Sequence, residues 1–302
     1  AKEVERIAEG TGEAVLDWQK REQAGLLSKK GEASLRTGLP VPILYVSYDG
    51  TGVPMVPWEV AGRKGKGEDG LAKTREVKLG CVFTQTHVDE AGFPVRDEGS
   101  TTYVGAIETA EVFGWRIYAE AQRRGLAMAQ KVVILADAAR YNWDIAGTHF
   151  PNAIWIVDLY HARQHLHALC KALVAVPTGR QGEARVARLE TRLRTLLDEG
   201  KIERIIHEVY KRFPHGQPLP EAVRKEIGYF TNNKEQMRYA DFRAQGLFVG
   251  SGVIEAGCKT LIGMRLKQSG MEWTVRGANA IIALRCCTLS HRMENFWEQR
   301  TA

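Results

Sequence analysis

Four carboxylates in this 302-residue chain sit where a side chain reaches the edge of a core. The stretch ILYVSYDGTGVPM, residues 43–55, is an apolar run that climbs to Asp49 and then breaks at Gly50 and Gly52. Such a run reads as a buried strand delivering one acid to an open rim. KVVILAD and AIWIVD repeat the arrangement and end on Asp137 and Asp158. The fourth acid, Glu255, follows Gly250 and Gly252, which bracket Ser251, a good helix N-cap. A capping box would place its acid at Ile254, three residues after Ser251, so capping does not account for Glu255. Glu59 follows Asp49 too closely to return from another element and is set aside.

Carboxylates on neighbouring strands suit phosphodiester chemistry on two divalent cations about 3.5–4 Å apart. Mg²⁺ is hard, prefers oxygen ligands and keeps waters, so two or three carboxylates suffice. Strands about 4.8 Å apart bring two such acids within reach of one ion pair. Each acid also has an ordinary explanation. Asp-Gly is common turn chemistry, Asp137 could cap a helix, and a Glu early in a helix is favoured by the macrodipole. Joint placement on the elements of one fold is what raises the set above chance.

Those elements follow from periodicity. Residues 3–35 have helical apolar spacing and abundant charge, and GEASLRTGLPVP then reads as a linker. KTREVKLGCVFTQTH and TTYVGAIET read as strands beside the first, and residues 109–129 as a helix. KVVILAD, a crossover through ARYNWDIAGTHFPN, and AIWIVD complete a β-β-β-α-β-α-β order. That order predicts an α/β, ribonuclease H-like mixed five-stranded sheet flanked by helices. In such a sheet the first and fourth strands are adjacent and the fifth is at the edge, so Asp137 is the better partner for Asp49, and Asp158 stands one strand further out. Residues 159–247 are almost all helical and strongly charged, too long for a loop in a compact domain, and predict an all-helical insertion before the last acid. A solvated helix pair and contact with DNA explain its arginines equally well. The expected organisation is a helical lead-in (1–38), a first core part (39–160), the insertion (161–247) and closing helices (248–302).

A net charge of +6 favours an anionic partner, nucleic acid first. No run of about 18 apolar residues predicts a membrane span. Five cysteines without a C-x-x-C argue against a zinc ribbon or a disulfide scaffold and suit a reducing cytoplasm. The glycine- and lysine-rich AGRKGKGEDG lacks the Gly-Lys-Ser/Thr closure of a nucleotide loop and reads as a basic connection in solvent or near DNA. His161 and His165 lie four apart on one helix, but no second acidic cluster completes a zinc site. His161 beside the cleft, contacting phosphate or orienting water, is the better reading. The opening AKEVERIAEG has neither an initiating Met nor a signal peptide's apolar core, so an upstream region is expected.

Taken in order, YDGTGVPM, KTREVKLGCVFTQT, ILADAARYNWD, AIWIVDLYHARQHL and GSGVIEAGCK…RLKQSGMEW resemble bacterial insertion-sequence transposases of the Kra type, similar to the mutator-like superfamily, across residues 40–292. The resemblance implies Asp49, Asp137 and Glu255 as a metal-binding triad for Mg²⁺, with Mn²⁺ able to substitute. It sets Asp158 and His161 in a motif after the fifth strand, and Arg265, Lys267 and Trp273 in an element near DNA. It also implies double-stranded DNA as partner, as element ends and as target. A homo-oligomer on that DNA and a cytoplasmic, nucleoid-associated location follow from it. One departure is visible: Ala138 and Ala139 follow Asp137 where glycine is usual in such sequences. A non-catalytic DNA-binding remnant and a ribonuclease H-like nuclease are the alternative functions.

Overall fold

A computed structural model describes residues 2–28, 40–65, 70–174, 180–213 and 217–301. Residues 31–39 of the expected linker, the centre of the basic connection (66–69) and residues 175–179 and 214–216 of the expected insertion lie outside the described residues.

Five strands form the main sheet: β1 (Val41–Pro54), β2 (Thr74–Gln85), β5 (Thr102–Ala106), β6 (Ala129–Ala136) and β7 (Ile154–Val157), in the order β5-β2-β1-β6-β7. A small hairpin of β3 (His87–Val88) and β4 (Pro94–Val95) interrupts the meander. β1 pairs antiparallel with β2 and β2 with β5, while β6 runs parallel to β1 and β7 to β6. This is the ribonuclease H-like arrangement that the order of elements predicts. The parallel pairs are joined by helices, as parallel connections require: α4 (Arg140–His149) links β6 to β7, and α3 (Ala110–Arg123) leads from β5 towards β6.

Side-chain alternation divides β1 between two cores. Tyr45 and Val53 face one hydrophobic cluster, and Leu44, Val46 and Tyr48 face the other, beneath α3 and α4. Asp49 falls on the Tyr45 side. That side is covered by α5 (Leu159–Val174) and the helices after it, α6 (Arg180–Asp198), α7 (Ile202–Tyr210), α8 (Glu221–Asn232) and α9 (Tyr239–Ala244). The chain then returns through α10 (Gly252–Gly257), a π-helical stretch (Cys258–Gly263) and a single turn (Met264–Leu266). It closes with two helices, Val275–Leu289 and Met293–Thr301.

The expectation that β1 breaks at Gly50 is corrected here. The strand continues to Pro54, and antiparallel pairing with β2 persists through Pro54↔Thr74. Gly50 serves a close approach instead, because a Cβ there would run into the Glu76 carboxylate and the Tyr141 hydroxyl. Glu59, set aside as a metal ligand, lies on the one-turn α2 (Pro57–Val60). It accepts a hydrogen bond from the Val275 amide at 3.0 Å and so tethers the start of that closing helix.

The first helix, α1 (Lys2–Leu26), ends short of the expected residue 35 and docks on the closing helices. Trp18 donates to Gln299 at 2.7 Å and stacks beneath the Arg292 guanidinium, which reaches Glu22 at 2.6 Å. Gly12 lies directly against the Ala280 carbonyl, where a Cβ would overlap backbone. Alanine in a helix interior gains about 1 kcal/mol over glycine, but overpacking costs about 1–3 kcal/mol. Gly12→Val should therefore lower the unfolding free energy by about 1–3 kcal/mol in a denaturant titration. Gly10→Ala, with nothing within 4 Å of its Cβ, should leave it unchanged or slightly raised. Equal effects of the two would rule out the close crossing.

Candidate active site

The parallel register aligns the acids. Its last pairs are Tyr48↔Ala136 between β1 and β6, and Ala136↔Val157 between β6 and β7. One further step along each strand sets Asp49 beside Asp137 and Asp137 beside Asp158, a row of three acids just past the ends of β6 and β7 and level with Asp49 within β1. Asp49 is half-open because β6 has ended on one side while β2 still covers the other at Leu79.

The three acids are held differently. Asp49 Oδ1 accepts the Gly50 amide at 2.7 Å, and among the described residues Oδ2 meets only the Cys258 thiol, at 3.9 Å. Asp137 Oδ1 accepts the Ala139 amide at 3.1 Å and the side-chain amide of the fully buried Asn142. Among the described residues no hydrogen bond reaches Asp137 Oδ2. Asp158 is fully buried and both its oxygens are engaged. Oδ1 accepts the His161 amide at 2.8 Å, capping α5, and Oδ2 accepts the Ser251 amide.

Glu255 reaches the row from above. Ser251 occupies the N-cap position of α10, yet its hydroxyl makes no capping bond; it donates to Glu255 Oε1 at 3.1 Å. Ligand atoms of Asp158, His161 and Glu255 lie within 4.8 Å of one another. The π-helical stretch begins at Cys258, where the helix passes over Asp49. Such irregular turns recur at functional sites.

Charge interactions link the whole group. Burial raises the Asp49 pKa foremost; Asp137 and Glu255 add to that, while the Gly50 amide and His161 oppose it. His161 is raised above an ordinary imidazole, first by Asp158 and further by Asp137 and Asp49. Its Nδ1 lies 3.4 Å from Asp158 Oδ1, an ion-pair distance, without hydrogen-bond alignment to any neighbour. Asp158 is lowered: burial pushes its pKa up, but the hydrogen bonds from His161 and Ser251 outweigh that.

The donor set fits a hard divalent cation. Asp49 and Asp137, half-buried, and the exposed Glu255 each keep an oxygen with no strong hydrogen bond, but among the described residues the acids and imidazoles whose ligand atoms converge within 4.8 Å are Asp158, His161 and Glu255, without Asp49 or Asp137. The remaining candidates are placed as follows. Lys267 donates to Thr51 Oγ1, two residues from Asp49, and Arg265 is exposed on the following turn. Trp273 is spent on structure: its indole donates to the Leu266 carbonyl at 3.1 Å, and its backbone pairs with the end of β1. His165 and His167 turn to separate partners, Glu226 at 2.6 Å and Glu190 at 2.7 Å.

Several neighbours escape a reading by motif. Asn142 grips Asp137 from α4, and Tyr48 donates to the Asn142 carbonyl at 2.8 Å. Tyr141 and the buried Lys78, which pairs with Glu76, flank the site behind Gly50. The buried Tyr229 hydroxyl comes from α8 and has no hydrogen-bond partner among the described residues. Burial chiefly, then the charges of Asp137 and Asp158, push its pKa up.

No family model and no curated protein sequence matches the chain. Among solved structures it is similar to a Drosophila P element transposase strand transfer complex at 9% identity, over 90% of this chain and 73% of that one, with a TM-score of 0.26. A score of this size sets up no equivalence between the two chains. No helix among the described residues is long and apolar enough to cross a membrane.

Like charges confined in one cleft oppose folding unless a cation joins them. In EDTA at pH 7, Asp49→Asn should raise the unfolding free energy by about 0.5–2 kcal/mol, the usual gain when a strained functional group is relaxed. Excess Mg²⁺ or Mn²⁺ should stabilise the wild type and erase that advantage, as read by thermal unfolding. A variant no more stable than wild type in EDTA would contradict the frustrated cluster.

Proposed function

We propose that the chain is a metal-dependent DNA transposase, with Asp49, Asp137 and Glu255 holding divalent cations beside the carboxyl end of β6. The observation that carries this reading is the parallel register, which sets Asp49 and Asp137 on adjacent strands and on one face, beneath the helix bearing Glu255. The ordered motifs that resemble Kra-type insertion-sequence transposases supply the substrate class.

Bound Mg²⁺ ions would polarise the scissile phosphate and activate the attacking oxygen, a water in strand cleavage and a freed 3′-hydroxyl in strand transfer. The residues of the chain do the rest. Asn142 and the Ala139 amide fix one Asp137 oxygen and leave the other for the metal. Asp158 orients His161 and the first turn of α10, so it acts on the cluster by positioning. His161, whose pKa its acidic neighbours raise, Asp158 foremost, is suited to meet a phosphate oxygen or a water. Lys267 and Arg265 stand beside β1, where they can neutralise phosphates without reading sequence.

The test uses labelled duplexes taken from the DNA that flanks the coding sequence, incubated with Mg²⁺ or Mn²⁺. Joined products are expected. Cleavage alone would indicate a nuclease, and binding without either a remnant. Asp49→Ala, Asp137→Ala and Glu255→Ala should each lower cleavage at least about 100-fold, the scale of losing a main electrostatic contributor. Intact cleavage in all three would exclude the triad. Asp158→Asn should reduce both activity and stability, since a buried amide loses its acceptor.

A further inference from the structure

The helices between β7 and Leu247 carry a charge pattern that the acid cluster does not use. On α6, Arg185, Arg188 and Arg192 are spaced i, i+3, i+7, which at 100° per residue confines them to about 60° of the helix face. The acids Glu183 and Glu190 project from the opposite face, and Glu190 is engaged by His167. Arg212, from the turn after α7, enters the same groove, which has a volume of about 470 Å³ and is floored by Leu173, Val174 and Leu189. A second cleft shares Arg192 and adds Arg204 and His207.

Five guanidiniums thus face two adjoining clefts against the one carboxylate that lines them, Glu208, which pairs with Arg192. Among the described residues Arg185, Arg188 and Arg212 make no ion pair, and all three are exposed. Among the described residues no carboxylate offsets that concentration of like charge beyond Glu208, and an anionic ligand would. Guanidinium forks match phosphate oxygens two at a time, whereas a solvated helix face gains nothing from arginine over lysine. From Arg185 to Arg192 the stripe runs about 10 Å, at 1.5 Å per residue. A lone phosphate covers a fraction of that. One nucleic-acid strand advances about 3.4 Å per nucleotide and presents about three phosphates along it.

We infer that the α6–α7 face is a backbone-binding groove for duplex DNA, distinct from the acid cluster. α5 separates the two: Asp158 caps one end and Val174 lines the groove at the other, about 24 Å away along 16 residues. The choice of DNA as the polyanion rests on the proposed function; the anion groove itself does not.

Fluorescence anisotropy of a labelled 30-base-pair duplex with the whole chain, in EDTA and over a range of salt, tests the groove without any reaction. Arg185→Gln/Arg188→Gln/Arg212→Gln is expected to weaken binding about 10–100-fold at low salt and to flatten the log–log salt slope by about 2–3, near 0.9 for each phosphate left without its guanidinium. Single exchanges should each flatten it by about 1, so a misfolded triple variant does not end the test. Arg194→Gln, on the opposite face of α6, should leave affinity and slope unchanged. Wild-type affinity and slope in the triple variant would overturn the groove, while cleavage that still requires Asp49 would leave the proposed function intact. If the wild type binds neither duplex nor heparin, the groove is overturned. If it binds heparin through these arginines but not the duplex, the anion groove stands and DNA as its ligand fails.

Discussion

The architecture depends on one buried carboxylate. Asp158 is out of contact with solvent, and an ionised group there survives only if every lone pair is met. Its partners come from three parts of the chain. Its own amide donates to Ala136 at the end of β6, one oxygen caps α5, and the other holds the Ser251 amide ahead of α10. A single residue, through its amide and its carboxylate, therefore joins the sheet edge, the first helix after it and the helix that carries Glu255. Its depressed pKa is the electrostatic signature of that bonding: burial alone would have raised it.

Around this anchor the free acids are arranged by arithmetic along the strands. Parallel neighbours in register put residues of equal offset side by side, and alternation puts every second residue on the same face. Asp49 and Asp137 satisfy both conditions, each one residue past the last β1–β6 pair. The antiparallel partner continues beyond them, so β2 supplies a rigid wall on one side and the end of β6 an opening on the other. That asymmetry, rather than a break in the strand, is what exposes Asp49. The glycine after it makes room for Glu76 and Tyr141.

The strands were legible because apolar runs bounded by polar residues survive any context, and the order of five such runs and their connections constrains topology strongly. Asp49, Asp137 and Asp158 were legible as acids closing apolar runs for the same reason, although β1 itself runs on past Asp49 to Pro54. The separate duties of the three were not. Asp158 reads like the other two in AIWIVD, and only its depth and its bonds to Ser251 and His161 distinguish a clamp from a ligand. Asn142 sits in an unremarkable helix sequence, yet it points at Asp137 because α4 starts within one turn of that acid. Ser251 looks like a cap and instead bonds Glu255, a switch decided by backbone angles that composition does not encode. Trp273 carries a motif's weight in sequence and proves to be a strap across the end of β1.

The helices inserted after β7 share their core with the sheet. Ile156 and Val157 of β7, Leu166 and Leu169 of α5, and Leu193 and Leu197 of α6 belong to one continuous cluster. Close-packed interiors transmit displacement instead of absorbing it. α5 begins on the buried acid that orients His161 and Ser251 and ends beside the arginines of α6. α5 is thus fixed at its first turn by Asp158 and along its length by the main core, and its 16 residues set the distance between the acid row and the arginines of α6.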